Sequence, residues 1–185
     1  PLISHLLKLA TDADEKGDRG PLAELRRGAS CHPHYPPSTL RHVAGLFSDK
    51  TSNTEQDTML LIATLFALNP AKVDAPWSQD LGAVLREVGQ KRGGDEGVKA
   101  VERRFLALLG ASPDELPTFL RHAISLAATE EVPVSWQRLY QDVLKLMKNY
   151  DDGRQDVIRK WSRSFWKKEA AAEKPHNPTS SHPEN

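Results

Sequence analysis

The run Met59-Leu-Leu-Ile-Ala-Thr-Leu-Phe-Ala-Leu68 constrains the fold of this chain more than any other segment. Only Thr64 interrupts its apolar character. Ahead of it, Ser52-Asn-Thr-Glu55 has the pattern of a capping box, in which a serine hydroxyl and a glutamate carboxylate satisfy orphan N–H groups at a helix start. Behind it, Asn69-Pro70 ends the helix, because proline lacks an amide donor and clashes with the preceding turn. A bilayer needs about 20 apolar residues, so this run is too short to cross one and suits a helix buried in a core.

The remaining segments read as amphipathic helices. Leu2–Asp14 carries Leu6, Leu7 and Leu9 on an apolar face and ends near Gly17. Leu22–Arg27 is a short helix stopped by Gly28. Residues 29–38 form a loop, since Pro33, Pro36 and Pro37 defeat a helix there. Thr39–Phe47 can be helical again. Trp77–Gly89 places Leu81, Val84, Leu85 and Val88 on one side, and Lys91-Arg-Gly-Gly94 is a basic, glycine-bearing turn. Val98–Leu109 turns Val98, Val101, Phe105, Leu108 and Leu109 inward. Ser112-Pro-Asp-Glu115 is a second capping box, and its helix, perturbed at Pro117, runs to Ala128. Ser135 caps a helix carrying Trp136, Leu139, Tyr140, Val143, Leu144 and Met147 as far as Tyr150. Period-two alternation is essentially absent, so no sheet is expected.

The expected class is therefore all-α, a compact bundle of about eight to nine helices over residues 1–168. A candidate boundary between two small lobes lies at Gly93-Gly94. Residues 169–185 are rich in Pro, Ser, His and Asn and are expected to be a disordered tail.

The formal net charge is zero over 185 residues, which conceals an asymmetry. Residues 135–168 hold nine Lys and Arg against four Asp, a local excess of five, and the rest of the chain carries the opposite balance. Such a chain binds anions locally rather than through its global field. Within Asp152–Lys168, Val157, Ile158, Trp161 and Phe165 fall within roughly 100° of helical arc, and Arg159, Lys160, Arg163 and Lys167 lie opposite. One face docks on a core and the other offers cations to a polyanion. The pairs Arg26-Arg27, Lys91-Arg92 and Arg103-Arg104 add to this signal, because guanidinium groups match phosphate oxygens with a planar donor fork. Trp161 and Phe165 belong to the apolar stripe, whereas Trp166 lies near the basic edge, where an aromatic ring could stack on a base.

Catalytic and metal chemistry find no support. Cys31 is the lone cysteine, so no internal disulfide forms, and a reducing, cytoplasmic location is expected. Cys31-His-Pro-His34 has zinc-ligand types but no second ligand pair. No Walker loop, dinucleotide fingerprint or nucleophile elbow occurs. The neighbours Asp95-Glu96 and Glu130-Glu131 do not face each other on a helix. No enzyme activity, cofactor, metal or membrane contact is predicted.

The order and spacing of several elements resemble the small subunit of the type I-E CRISPR surveillance complex, Cascade, known as the CasB family. They are Leu25-Arg-Arg-Gly28 with the proline-rich loop after it, Met59–Leu68, Asp80-Leu-Gly-Ala-Val-Leu85, Glu102–Leu109, Leu120-Arg-His-Ala123, Trp136–Leu144 and Val157–Phe165. The likeness covers roughly residues 2–168. It implies an all-helical, non-enzymatic subunit, present as two copies between the crRNA-bearing backbone subunits and the large subunit. It implies a grip on the displaced non-target single-stranded DNA that holds the R-loop open. Arg26 and Arg27 resemble the family's paired arginines, Arg121 the arginine of a later helix, and Arg103 and Arg104 the basic pair before it. Arg159, Lys160, Arg163 and Lys167 come from the helical wheel alone. The rival expectation is a helical adaptor whose basic stripe meets an acidic protein.

Overall fold

Helix α4 (Asn53–Phe66) occupies the centre of the molecule, and every residue from Thr58 to Phe66 is buried. The computed structural model describes residues 1–148 and 151–167. Neighbours cover α4 on all sides, as a helix that is apolar all round requires. Its threonines bond within the helix, Thr58 to the Thr54 carbonyl at 2.7 Å and Thr64 to that of Leu61 at 2.8 Å. No hydroxyl of this stretch therefore enters the core unpaired. The Ser52 hydroxyl accepts from the Glu55 amide at 3.3 Å. The Glu55 carboxylate does not return the bond and instead accepts from the Tyr140 hydroxyl at 3.3 Å. Burial, with this carboxylate alongside, pushes the Tyr140 pKa up to about 12.

Around α4 pack α1 (Leu2–Glu15), α2 (Gly20–Gly28), the single turn α3 (Pro37–Leu40), α6 (Leu116–Thr129) and α7 (Trp136–Met147). Helices α5 (Leu81–Gly110) and α8 (Asp151–Phe165) pack on each other, with α6 against α5 and α7 against α8. Among the described residues there are eight α-helices, one 3-10 turn at Ala44–Leu46 and no strand, which is the all-α class expected.

Several boundaries differ from the sequence reading. Thr39–Phe47 splits into α3 and the 3-10 turn, because only Thr39 and Val43 of that stretch are buried and little packing sustains a longer helix. Helix α5 begins at Leu81 rather than Trp77, since the Asp80 carboxylate accepts from the Ala83 amide at 3.0 Å and sets the cap there. The two helices expected on either side of Gly93-Gly94 are arms of one hairpin, reversed through Gly94 at φ +59°. A Cβ on Gly97 would lie 2.0 Å from the Gly89 carbonyl oxygen, so the arms touch backbone to backbone. Pro117 sits in the first turn of α6 and does not perturb it. The amide and hydroxyl of Ser112 donate to the Glu115 carboxylate at 3.0 and 2.8 Å, which holds that carboxyl below its ordinary pKa. Ser135 does not cap α7 with its side chain. Asp74, in a distant loop, accepts from the Trp136 and Gln137 amides at 2.6 and 3.1 Å. The expected end of α7 at Tyr150 and the expected tail 169–185, with Lys168, lie outside the described residues.

Helix α8 is placed by its apolar stripe and by polar locks. Val157, Trp161 and Phe165 are buried as the wheel predicts, whereas Ile158, the fourth residue of the stripe, is half-buried. A Cβ on Gly82 would lie 2.0 Å from the Trp161 carbonyl oxygen, so the first arm of α5 crosses α8 in backbone contact. Ser164 donates to Asp80 at 2.7 Å, and Arg86 donates to the Phe165 carbonyl at 3.0 Å. The Trp161 indole N–H and the Arg138 Nε both donate to the buried Asp142 carboxylate, each at 2.9 Å. Arg154 donates to the Ala111 carbonyl at the end of α5.

Candidate nucleic-acid interface

The nine cations expected to meet nucleic acid fall in three places. Arg26 and Arg27 occupy the last turn of α2. Arg26 donates through Nε to the Ala67 carbonyl at 2.8 Å, so it satisfies an orphan carbonyl at the end of α4. Arg27 is exposed and makes no side-chain hydrogen bond or ion pair with the described residues. Arg103 and Arg104, both exposed, line a cavity of about 220 Å³ between the second arm of α5 and α6, together with Leu85, Phe119, His122 and Leu126. Arg121 is half-buried. It lies two residues from Ala123 of that cavity, about 160° around α6, and so on its other flank.

On α8, Arg159 and Arg163 are one turn apart and exposed. Lys160 pairs with Asp156 at 2.7 Å, and Asp156 also lies 3.8 Å from Lys145. The Lys160 ammonium, hydrogen-bonded to it, holds the Asp156 carboxyl below its ordinary pKa. Lys167 follows the helix end and is exposed. Trp166 remains 42% exposed, yet its indole N–H donates to Glu102 at 2.6 Å and its ring meets those of Phe105 and Phe165 edge-on. That bond ties the end of α8 to the arm of α5 that carries Arg103. The structure does not bring the α2 pair to this region, since α2 packs on α1, α3 and α4.

Several other cations are held by carboxylates. Arg41 is held by Glu24 at 2.6 Å, Arg92 by Glu130 at 2.6 Å, and Arg138 by Asp142 at 2.9 Å. Arg27, Arg103, Arg104, Arg121, Arg159, Arg163 and Lys167 make no ion pair or side-chain hydrogen bond with the described residues. An unpaired surface cation meets a phosphate without first losing a carboxylate, a property these seven share with the exposed Lys8, Arg19, Lys50 and Lys148.

Sequence reasoning missed a groove of about 300 Å³ between α7 and α8, lined by Trp77, Gln137, Arg138, Gln141, Lys145 and Lys160. Assigning Trp77 to a helix hid its exposure on a loop. The signal that could have found it is Asp80, a good N-cap directly before the apolar period Leu81, Val84, Leu85. In the Cys31–His34 loop, the Cys31 thiol donates to the Arg27 carbonyl at 3.6 Å, and burial lowers the His32 pKa. Among the described residues no group of three or more His, Cys, Asp or Glu is placed to hold a metal ion. None of the described helices is long and apolar enough to cross a membrane.

Comparison with known proteins places this architecture. The family model for CRISPR-associated protein Cse2 matches residues 21–166. A CRISPR-associated protein Cse2 of Thermus thermophilus is 28% identical over 145 residues, 78% of this chain and 77% of that protein. The crystal structure of a CRISPR-associated protein of the Cse2 family from Thermus thermophilus superposes with a TM-score of 0.69 at 27% identity, covering 90% of this chain and 97% of that one. The crystal structure of CasB from Thermus thermophilus gives a TM-score of 0.68 at 26% identity, with 90% and 97% covered.

Proposed function

We propose that this chain, which belongs to the CRISPR-associated Cse2 family, is a non-catalytic nucleic-acid-binding subunit of Cascade, an RNA-guided DNA surveillance complex. It steadies the R-loop by holding the displaced non-target strand, and it sits against the crRNA-bearing backbone subunits, the large subunit and a second copy of itself. Exchange of a DNA duplex for an RNA–DNA hybrid is nearly balanced, so a few backbone contacts to the displaced strand tip it. The observation that supports the reading is the group of exposed cations Arg103 and Arg104 on α5 and Arg159, Arg163 and Lys167 on or just past α8, two helices that pack on each other, none of them with a carboxylate partner among the described residues, on a chain of zero net charge. A protein so arranged binds phosphates along a narrow track, weakly alone and more strongly where the assembly supplies further contacts.

The test is the R-loop itself. A surveillance complex assembled with and without this chain is bound to target DNA, and the displaced strand is probed with a single-strand-specific nuclease. Protection and a longer-lived R-loop are expected only with the chain present. Equal sensitivity and lifetime in both complexes would overturn the reading. The adaptor alternative draws on one observation, the largely apolar cavity beside Arg103 and Arg104, which fits an apolar side chain on an acidic segment. It predicts loss of assembly, without strand protection, when Phe119 at that cavity is changed to Asp.

A further inference from the structure

The four tryptophans have different fates. Trp136 and Trp161 are buried, and Trp166 is tied to Glu102. Trp77 is 51% exposed, and its indole N–H bonds to none of the described residues. A single exposed ring is ordinary, and what sets this one apart is that it is held in a fixed pose beside cations. Trp77 is held in place. The Arg138 guanidinium lies 5.2 Å from its ring centroid and donates to its carbonyl at 3.5 Å. Arg138 is fixed by Asp142, which is fixed in turn by the Trp161 indole in the core. This chain of contacts runs from core to loop and presents the ring without the ordering cost a mobile side chain would carry on binding.

We infer that Trp77 is a stacking platform for a base of single-stranded nucleic acid, taken on the face opposite Arg138, with Lys145 and Lys160 beside the adjoining phosphates. This rests on the reading of the chain as a strand-binding subunit and extends it to a site apart from the arginine track. Arg138, Lys145 and Lys160 face Asp142 and Asp156 in and beside this groove, so its net charge is only +1. Stacking rather than charge therefore supplies the affinity here, and it is tolerant of sequence because every base has a π-face.

The experiment is fluorescence anisotropy of the full chain with two labelled strands of about 30 nucleotides, one of ordinary single-stranded DNA and one wholly abasic. Trp77→Ala is expected to weaken the ordinary strand about 5- to 100-fold and to leave the abasic strand unchanged. Trp77→Phe, which keeps a ring, retains most of the affinity. The salt dependence of Trp77→Ala parallels wild type, because no phosphate contact has been removed. Equal binding of both strands by wild type and Trp77→Ala would overturn the platform while leaving strand binding intact. Failure of wild type to bind either strand, even at low salt, would overturn the platform and autonomous strand binding together. Binding lost equally for both strands would identify Trp77 as a support for the lysines rather than a base contact, and would also overturn the inference.

Discussion

The α4 side of the molecule and the α5–α8 side are both wholly helical, yet they are held by different means. Around α4 the cohesion is volume. Phe66, Leu61, Ile62 and Leu65 are all buried, and Phe66 meets Trp136 edge-on at 5.2 Å. Between α5, α7 and α8 the cohesion is directional. Gly82 touches the Trp161 backbone, and Asp142, Asp80, Arg86 and Arg154 each accept or donate across the junction. Apolar packing tolerates substitution that conserves volume, whereas hydrogen-bonded junctions tolerate only what conserves the bond. The contrast bears on the proposed function, because the α5–α8 side carries Arg103, Arg104, Arg159, Arg163 and Lys167 and its bonds fix the spacing of the helices that bear them, whereas packing around α4 keeps the fold.

Substitutions that separate shape from bonding break or sharpen this contrast. The largest effect is expected from Phe66→Ala, about 3–5 kcal/mol of unfolding free energy, against about 1.5 for Phe66→Leu, which restores much of the volume. Chemical denaturation of the two variants gives the ratio. On the other side the difference is expected to vanish. Asp142→Leu keeps the branched shape but leaves the Trp161 N–H and the Arg138 guanidinium without their acceptor, and it is expected to cost about 2–3 kcal/mol, as much as Asp142→Ala. A large gap between those two Asp142 variants would show that volume governs this junction as well. Asp74→Ala removes the remote cap of α7 and is expected to cost about 1 kcal/mol in the same measurement.

The smallest expected effect is a pH dependence confined to the α2–α3 loop. Burial lowers the His32 pKa below its ordinary value of 6.5, so the folded state favours the neutral ring. The stability this contributes is complete above 6.5 and is lost as the pH falls through the lowered folded value. Wild type is therefore expected to lose stability between neutral pH and the acid side of this window, and His32→Gln to flatten the profile there. Parallel profiles would assign the acid lability elsewhere, with Glu24 the next group to vary. Its carboxyl is held below its ordinary value by His42 first and Arg41 second.

What could be read in the sequence follows the same division. The burial of α4 follows from a single run interrupted only at Thr64, and the stripe Val157, Trp161, Phe165 from its period, because apolar patterning is local information. The caps at Asp74 and the node at Asp142 are not legible, since each acts on a partner chosen by the tertiary fold. For the candidate interface, the residue types were readable but their pairing was not. Arg26 looks identical to Arg27 in the sequence, yet only Arg26 reaches the Ala67 carbonyl. Lys160 is the exception, since Asp156 four residues earlier on the same helix signals the pair that holds it.

The most direct test of the central claim is the salt dependence of single-stranded DNA binding by wild type and by the fourfold variant Arg103→Ala, Arg104→Ala, Arg159→Ala, Arg163→Ala. Each phosphate contact to a single strand contributes about 0.7 to the slope of log K against log salt, so the account predicts a slope shallower by about 3 and weaker binding at low salt. Parallel slopes of equal affinity would contradict it, because the unpaired cations would then touch no phosphate.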